Sequence, residues 1–183
     1  MGQTTTSHTN RNDLRRFVLL SILIALQTIF SNTLGIRTPI LRVTFGFFPL
    51  ILSGIILGPV YAAIGAVYSD LIGFIIFQTG ATFFPGYTFT ALLSGLVYGF
   101  FLYNKPKKLW RIISSVSIVK IILHLGLNTY WTYIAFSTTG FWLLLSQRSM
   151  AAFLQIPIQV AFIWFLAYRI SDSPPALPFK KDI

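Results

Sequence analysis

The chain has 183 residues, 55% hydrophobic and 10% charged, with a mean hydropathy of +0.73. It has no cysteine, which excludes disulfides and thiolate metal sites, and its two histidines and four scattered acids do not make an all-protein metal site. The formal net charge of +10 would suit a nucleic-acid partner, but the basic residues sit between and beside apolar runs, where membrane topology accounts for them better.

Recurrent apolar runs of about twenty residues define an all-α, polytopic membrane protein in a lipid bilayer. Residues 1–13 are polar and Thr/Ser-rich, and disorder is expected there. Arg11, Arg15 and Arg16 precede the apolar run 17–30. No small-x-small cleavage site follows this run and further apolar runs do, so it reads as a retained first helix over about residues 14–34 rather than a signal peptide. Its Ser21 and Ala25, four apart, let another helix approach closely. Residues 35–44, GIRTPILRVT, form a loop carrying Arg37, Pro39 and Arg42. A short helix spans about residues 45–57, and Gly58-Pro59 turns the chain into a third helix, about residues 60–77. That helix has a small face of Gly65, Ala66, Ser69 and Gly73, with Asp70 well inside it.

Residues 78–87, QTGATFFPGY, are a Gly-rich aromatic loop before a fourth helix, about residues 88–102. YNKPKKLWR, residues 103–111, is the strongest basic loop, with Trp110 as an interface anchor. A fifth helix over about residues 109–135 is interrupted by Lys120, His124, Asn128 and Thr129. A short turn leads to a sixth, about residues 142–168, with Arg148, Gln155, Pro157 and Gln159 inside it, and residues 171–183 are a polar, Pro-rich, basic tail. Six spans put both termini on one side. That side collects ten Lys and Arg residues against two, Arg37 and Arg42, on the other, which predicts cytoplasmic termini in a multi-pass cell-membrane protein.

Lys120 lies roughly 16 Å into the fifth helix at helical rise, and Asp70 lies at a similar depth in the third. A charge there costs at least about 2.5 kcal/mol and faces a bundle interior or a wet cavity. Two readings follow: a structural Asp70–Lys120 pair, or a ligand cavity. Lys120, His124, Asn128 and Trp131 follow i, i+4, i+8, i+11 spacing and form one stripe climbing from mid-membrane to the outside. Arg148 and Gln155, seven apart, also share a face. Arg37, Arg42, Lys120 and Arg148 against one Asp70 favour an anionic ligand. Phe83, Phe84, Tyr87 and Trp131 suit a flat ring, and a buried carboxylate accepts two hydrogen bonds from an aminated heterocycle. An intramembrane enzyme is disfavoured, because no span offers Asp70 a second acid and no HExxH pattern exists. A channel is disfavoured because the stripe stops at mid-membrane.

The segments RVTFGFFPLILSGIILGP, GAVYSDLIGFIIFQTGATFFPGYTFTALLSGLVYGFFLY, LNTYWTYI and the run from Arg148 to Gln159 resemble the S components of energy-coupling-factor (ECF) vitamin transporters, the folate-specific family above all. The resemblance covers nearly all of residues 14–170 and implies a six-helix substrate-binding domain with folate held near the outer face, gated by the loops at 35–44 and 78–87. It implies contacts from Arg42, Asp70, Phe84, Pro85, Gly86, Tyr87, Thr88, Lys120, His124, Asn128, Trp131, Arg148 and Gln155, with no cofactor and no metal. It implies a transmembrane coupling protein and two ATPase subunits as partners, in keeping with the lack of a Gly-Lys-Ser/Thr phosphate loop here. The family's Ala-x-x-x-Ala docking motif has Ser21-x-x-x-Ala25 as its best match. An S component for another vitamin, such as pantothenate, is the alternative.

Overall fold

The computed structural model describes residues 5–33, 35–37, 42–77, 83–105, 108–136 and 140–172. In chain order these form α1 (Thr5–Asn32), β1 (Gly35–Arg37), β2 (Arg42–Thr44), α2 (Phe47–Ile56), α3 (Pro59–Phe77) and α4 (Pro85–Leu102). Then come α5 (Leu109–Ser117), a π-helical segment (Ile118–Leu127), α6 (Asn128–Phe136) and α7 (Phe141–Asp172). The π-helical segment runs directly from α5 into α6, so residues 109–135 make one span. Among the described residues, five helices are long and apolar enough to cross a membrane, and α2 is a shorter sixth. Hydrocarbon supplies no water for backbone N–H and C=O groups, so a chain this apolar satisfies them within helices.

Four differences from the sequence reading have local causes. The first helix begins at Thr5 instead of 14, so most of the segment expected to be disordered is helical. Residues 5–33 contain no Gly or Pro, and a helix nucleated by the apolar run propagates through them. The fourth helix starts at Pro85, whose fixed φ suits a first helical position. The loop at 35–44 contains a hairpin pairing Gly35 with Thr44, Ile36 with Val43 and Arg37 with Arg42, in strands too short to show alternation. Its tip, residues 38–41, lies outside the described residues, as do residues 78–82 of the aromatic loop, 137–139 and the tail from 173. Last, the fifth span is not a uniform α-helix.

Small residues set the helix spacing. Gly58 takes φ 93°, a conformation that β-carbon-bearing residues avoid, and so turns α2 into Pro59 at the head of α3. Gly95 of α4 sits on the α3 backbone, where a Cβ would lie 2.6 Å from the Ala62 carbonyl oxygen. Gly54 of α2 meets α4 at Tyr98 and Gly99. The small face of α3 receives α1: Gly65 lies under Leu20, Gly73 under Asn32, and Thr28 donates to Ser69 Oγ at 3.1 Å. The core of Ile51, Ile55, Tyr98, Ile112, Val116 and Ile163 lies inside α2, α4, α5 and α7. Large apolar side chains such as Ile75, Phe100 and Phe153 point outward, which is favourable in lipid.

Candidate ligand-binding site

The site is built where the first turn of α4 meets α6 and α7. Phe84, extended, precedes Pro85 and packs its ring 5.7 Å from Trp131 and 6.0 Å from Tyr87. Gly86 is buried beneath these rings: a Cβ there would come within 2.6 Å of Trp131 Cδ2 and Phe84 Cε1. The Phe-Pro-Gly-Tyr segment thus starts a helix and leaves room for an aromatic wall at the same place. Phe83 is not part of that wall, since its ring packs 5.2 Å from Phe74.

A polar network continues from the wall. Tyr87 Oη lies 2.8 Å from Thr132 Oγ1, Arg148 Nη2 donates to the same oxygen at 2.8 Å, and Thr132 Oγ1 donates to the Asn128 carbonyl at 2.7 Å. On the other side of α4, Thr88 Oγ1 donates to Asp70 Oδ2 at 2.7 Å. Deeper, Lys120 Nζ donates to Gln155 Oε1 at 2.6 Å, and Tyr98 donates to Gln159 Oε1 at 3.4 Å. Lys120, Gln155, Tyr98 and Gln159 are all buried.

Several buried polar atoms here have no hydrogen-bond partner among the described residues: Asn128 Oδ1, Thr129 Oγ1, Trp131 Nε1 and Gln159 Nε2. Buried polar groups are nearly always hydrogen-bonded, so such atoms in one region mark a place for a polar ligand or ordered water. Lys120 and Arg148 meet neutral acceptors, and neither has a carboxylate partner among the described residues. An ammonium has three donors and Gln155 takes one of them. A desolvated cation left without a counter-charge is costly, and an anion relieves that cost.

The sequence reading needs three corrections. Lys120 pairs with Gln155, not with Asp70. The stripe from Lys120 to Trp131 is not one α-helical face. Residues 118–127 are π-helical, the i→i+5 pairing breaks the 3.6-residue period, and Lys120 is buried while His124 is exposed. His124 Nδ1 lies 3.2 Å from Asn128 Nδ2, so these two members of the stripe stay together. Phe83 belongs with Phe74, as above. Arg42 lies in β2, opposite Arg37. Arg148 and Gln155 do share the α7 face toward the fifth span. Thr132 was missed, although it stands four residues after Asn128, one turn along the same helix.

A bundle of membrane-crossing helices enclosing a cationic, aromatic-walled polar site is a membrane-embedded solute-binding protein. The chain matches the family of the ECF transporter substrate-specific component over residues 15–168 and belongs to it. The folate transporter FolT of Clostridium novyi is 38% identical over 117 residues, 64% of this chain and 67% of that protein. The folate transporter FolT of Leuconostoc mesenteroides is 35% identical over 159 residues, 84% of this chain and 85% of that protein. Among solved structures, FolT bound with folic acid is similar with a TM-score of 0.78 and 29% identity, covering 84% of this chain and 92% of that one.

Proposed function

We propose that this chain is the folate-binding S component of an ECF-type importer. The observation that carries it is one connected unit, Phe84–Tyr87–Thr132–Arg148, which joins an aromatic wall to a cation that no acid among the described residues neutralises. Folate has the matching halves, a flat aminated ring and an acidic tail. The ring stacks against Phe84 and Trp131, and its polar edge meets Asn128. The tail carboxylates meet Arg148 and Lys120. Asp70 and Thr88 border the site from α3 and α4. The relatives, both folate transporters, support the same ligand. A pantothenate-type ligand has no flat ring and would leave the wall unused.

Residues 14–170 act as the binding domain, and the hairpin at 35–44 and the segment before α4, up to residue 84, gate the site from outside. Both termini are cytoplasmic. Delivery rests on a transmembrane coupling protein and two ATPase subunits, which dock on the exposed face of α1 around Ser21 and Ala25. Titration of the purified chain with folate, by calorimetry and tryptophan quenching, tests the ligand, with pantothenate and riboflavin as controls. Saturable binding of folate alone is expected. Folded protein that binds pantothenate and not folate would move the ligand to the alternative.

A further inference from the structure

The residue that ties the aromatic wall to the cation is Thr132, which neither the residue pattern nor the family resemblance singled out. A threonine hydroxyl has one proton and two lone pairs. The proton is committed to the Asn128 carbonyl at 2.7 Å, the i−4 bond open to a threonine inside a helix. Arg148 only donates, so its Nη2 takes one lone pair at 2.8 Å. Tyr87 Oη, also at 2.8 Å, must then be a donor and take the other. The hydroxyl is saturated, and its three bonds link the first turn of α4, the backbone of α6 and the guanidinium of α7.

The choice of a neutral hydroxyl matters. A carboxylate in this place would hold Arg148 more tightly and also cancel its charge. Thr132 holds one of the five N–H donors of the guanidinium and leaves the charge and the other donors for a ligand. We propose that Thr132 is a positioning residue for anion recognition: it aims Arg148 at the ligand's carboxylate and makes that aim depend on Tyr87, beside the aromatic wall. This rests on the folate reading for the identity of the anion, but not for the link between Thr132 and Arg148.

The test uses the full chain in nanodiscs and two readouts. The first is a double-mutant cycle on folate affinity. Thr132→Val keeps the shape and removes the hydroxyl, and it should weaken folate about tenfold, the usual scale for a hydrogen bond to a charged group. Thr132→Ser should recover most of that loss. In an Arg148→Gln background, Thr132→Val should change affinity by less than about twofold, because the two act as one unit. Equal losses in both backgrounds would show that Thr132 acts by packing alone and would overturn the proposal. The second readout needs no folate: the rate at which an arginine-specific dicarbonyl modifies Arg148, followed by peptide mass spectrometry. Thr132→Val should raise this rate several-fold and Thr132→Ser should not; an unchanged rate would also overturn it. If the wild-type chain bound no folate, the ligand assignment would fail while the reactivity readout still decided the role of Thr132. If Thr132→Val did not fold, Thr132→Ala would carry the same two measurements.

Discussion

Lys120 shows what a single residue contributes here. It is 9% exposed in a protein that crosses a membrane, and it is held by the neutral Gln155. Such a cation lowers the stability of the unliganded protein, since breaking or omitting one half of a buried ion pair leaves an uncompensated charge. Lys120→Met keeps most of the volume and removes the charge. The expected outcome has two opposite signs. The ligand-free variant unfolds at the same or a higher temperature than wild type. Its folate affinity falls at least about tenfold, and the stabilisation it gains from a fixed folate concentration falls with it. Thermal unfolding with and without folate reads both. A variant that lost stability and kept its affinity would assign Lys120 to the scaffold.

Elements are spaced by glycine where two backbones touch. At Gly95 the obstacle to a side chain is the Ala62 backbone, which cannot swing aside as a side-chain tip can. Gly95→Leu should therefore force α3 from α4 and cost at least about 3 kcal/mol, the upper part of the range for overpacking, with loss of folded protein in size-exclusion chromatography. Gly126, in the π-helical segment, has only the Ile121 carbonyl nearby, at 3.6 Å. Gly126→Ala should fold normally, and the contrast separates a packing requirement from a general intolerance of change in membrane helices. The π-helical segment is the second feature at this scale. Such segments cluster at functional sites because they re-aim side chains, and here one places Lys120 toward α7.

The whole molecule presents an unpartnered strip along α1. Leu14, Val18, Ile22 and Ile29 are exposed together with Ser21 and Ala25. Lipid covers such a strip in the isolated chain, and the small pair leaves room for a partner helix. Ser21→Trp and Ala25→Trp should leave folate binding by the purified chain unchanged and abolish folate uptake in cells that contain the energising module. Loss of binding would instead mean that α1 supports the site. Orientation can be read directly, because the chain has no cysteine. Gly140→Cys and Lys105→Cys each place one thiol at an exposed position. A membrane-impermeant maleimide applied to intact cells should label the first and spare the second if both termini are cytoplasmic.

The amino-acid sequence by itself determined the spans, the Gly58-Pro59 turn and the small face of α3. These follow from hydropathy, from the stereochemistry of glycine and proline, and from side-chain size, all of which act over a few residues. It also determined which polar residues stand in the apolar spans, because each is conspicuous against lipid. What it could not determine was which of them meet. A period of 3.6 assumed through residues 118–127 is broken by the π-helical pairing, which buries Lys120 and leaves His124 exposed beside Asn128. Asp70 and Lys120 were natural partners by charge, but Thr88 and Gln155 are the neighbours that helix packing provides. Thr132 is the clearest case. An unremarkable threonine gains its role only when α4 and α7 arrive beside α6, because a hydroxyl has no role until its lone pairs have donors to accept from.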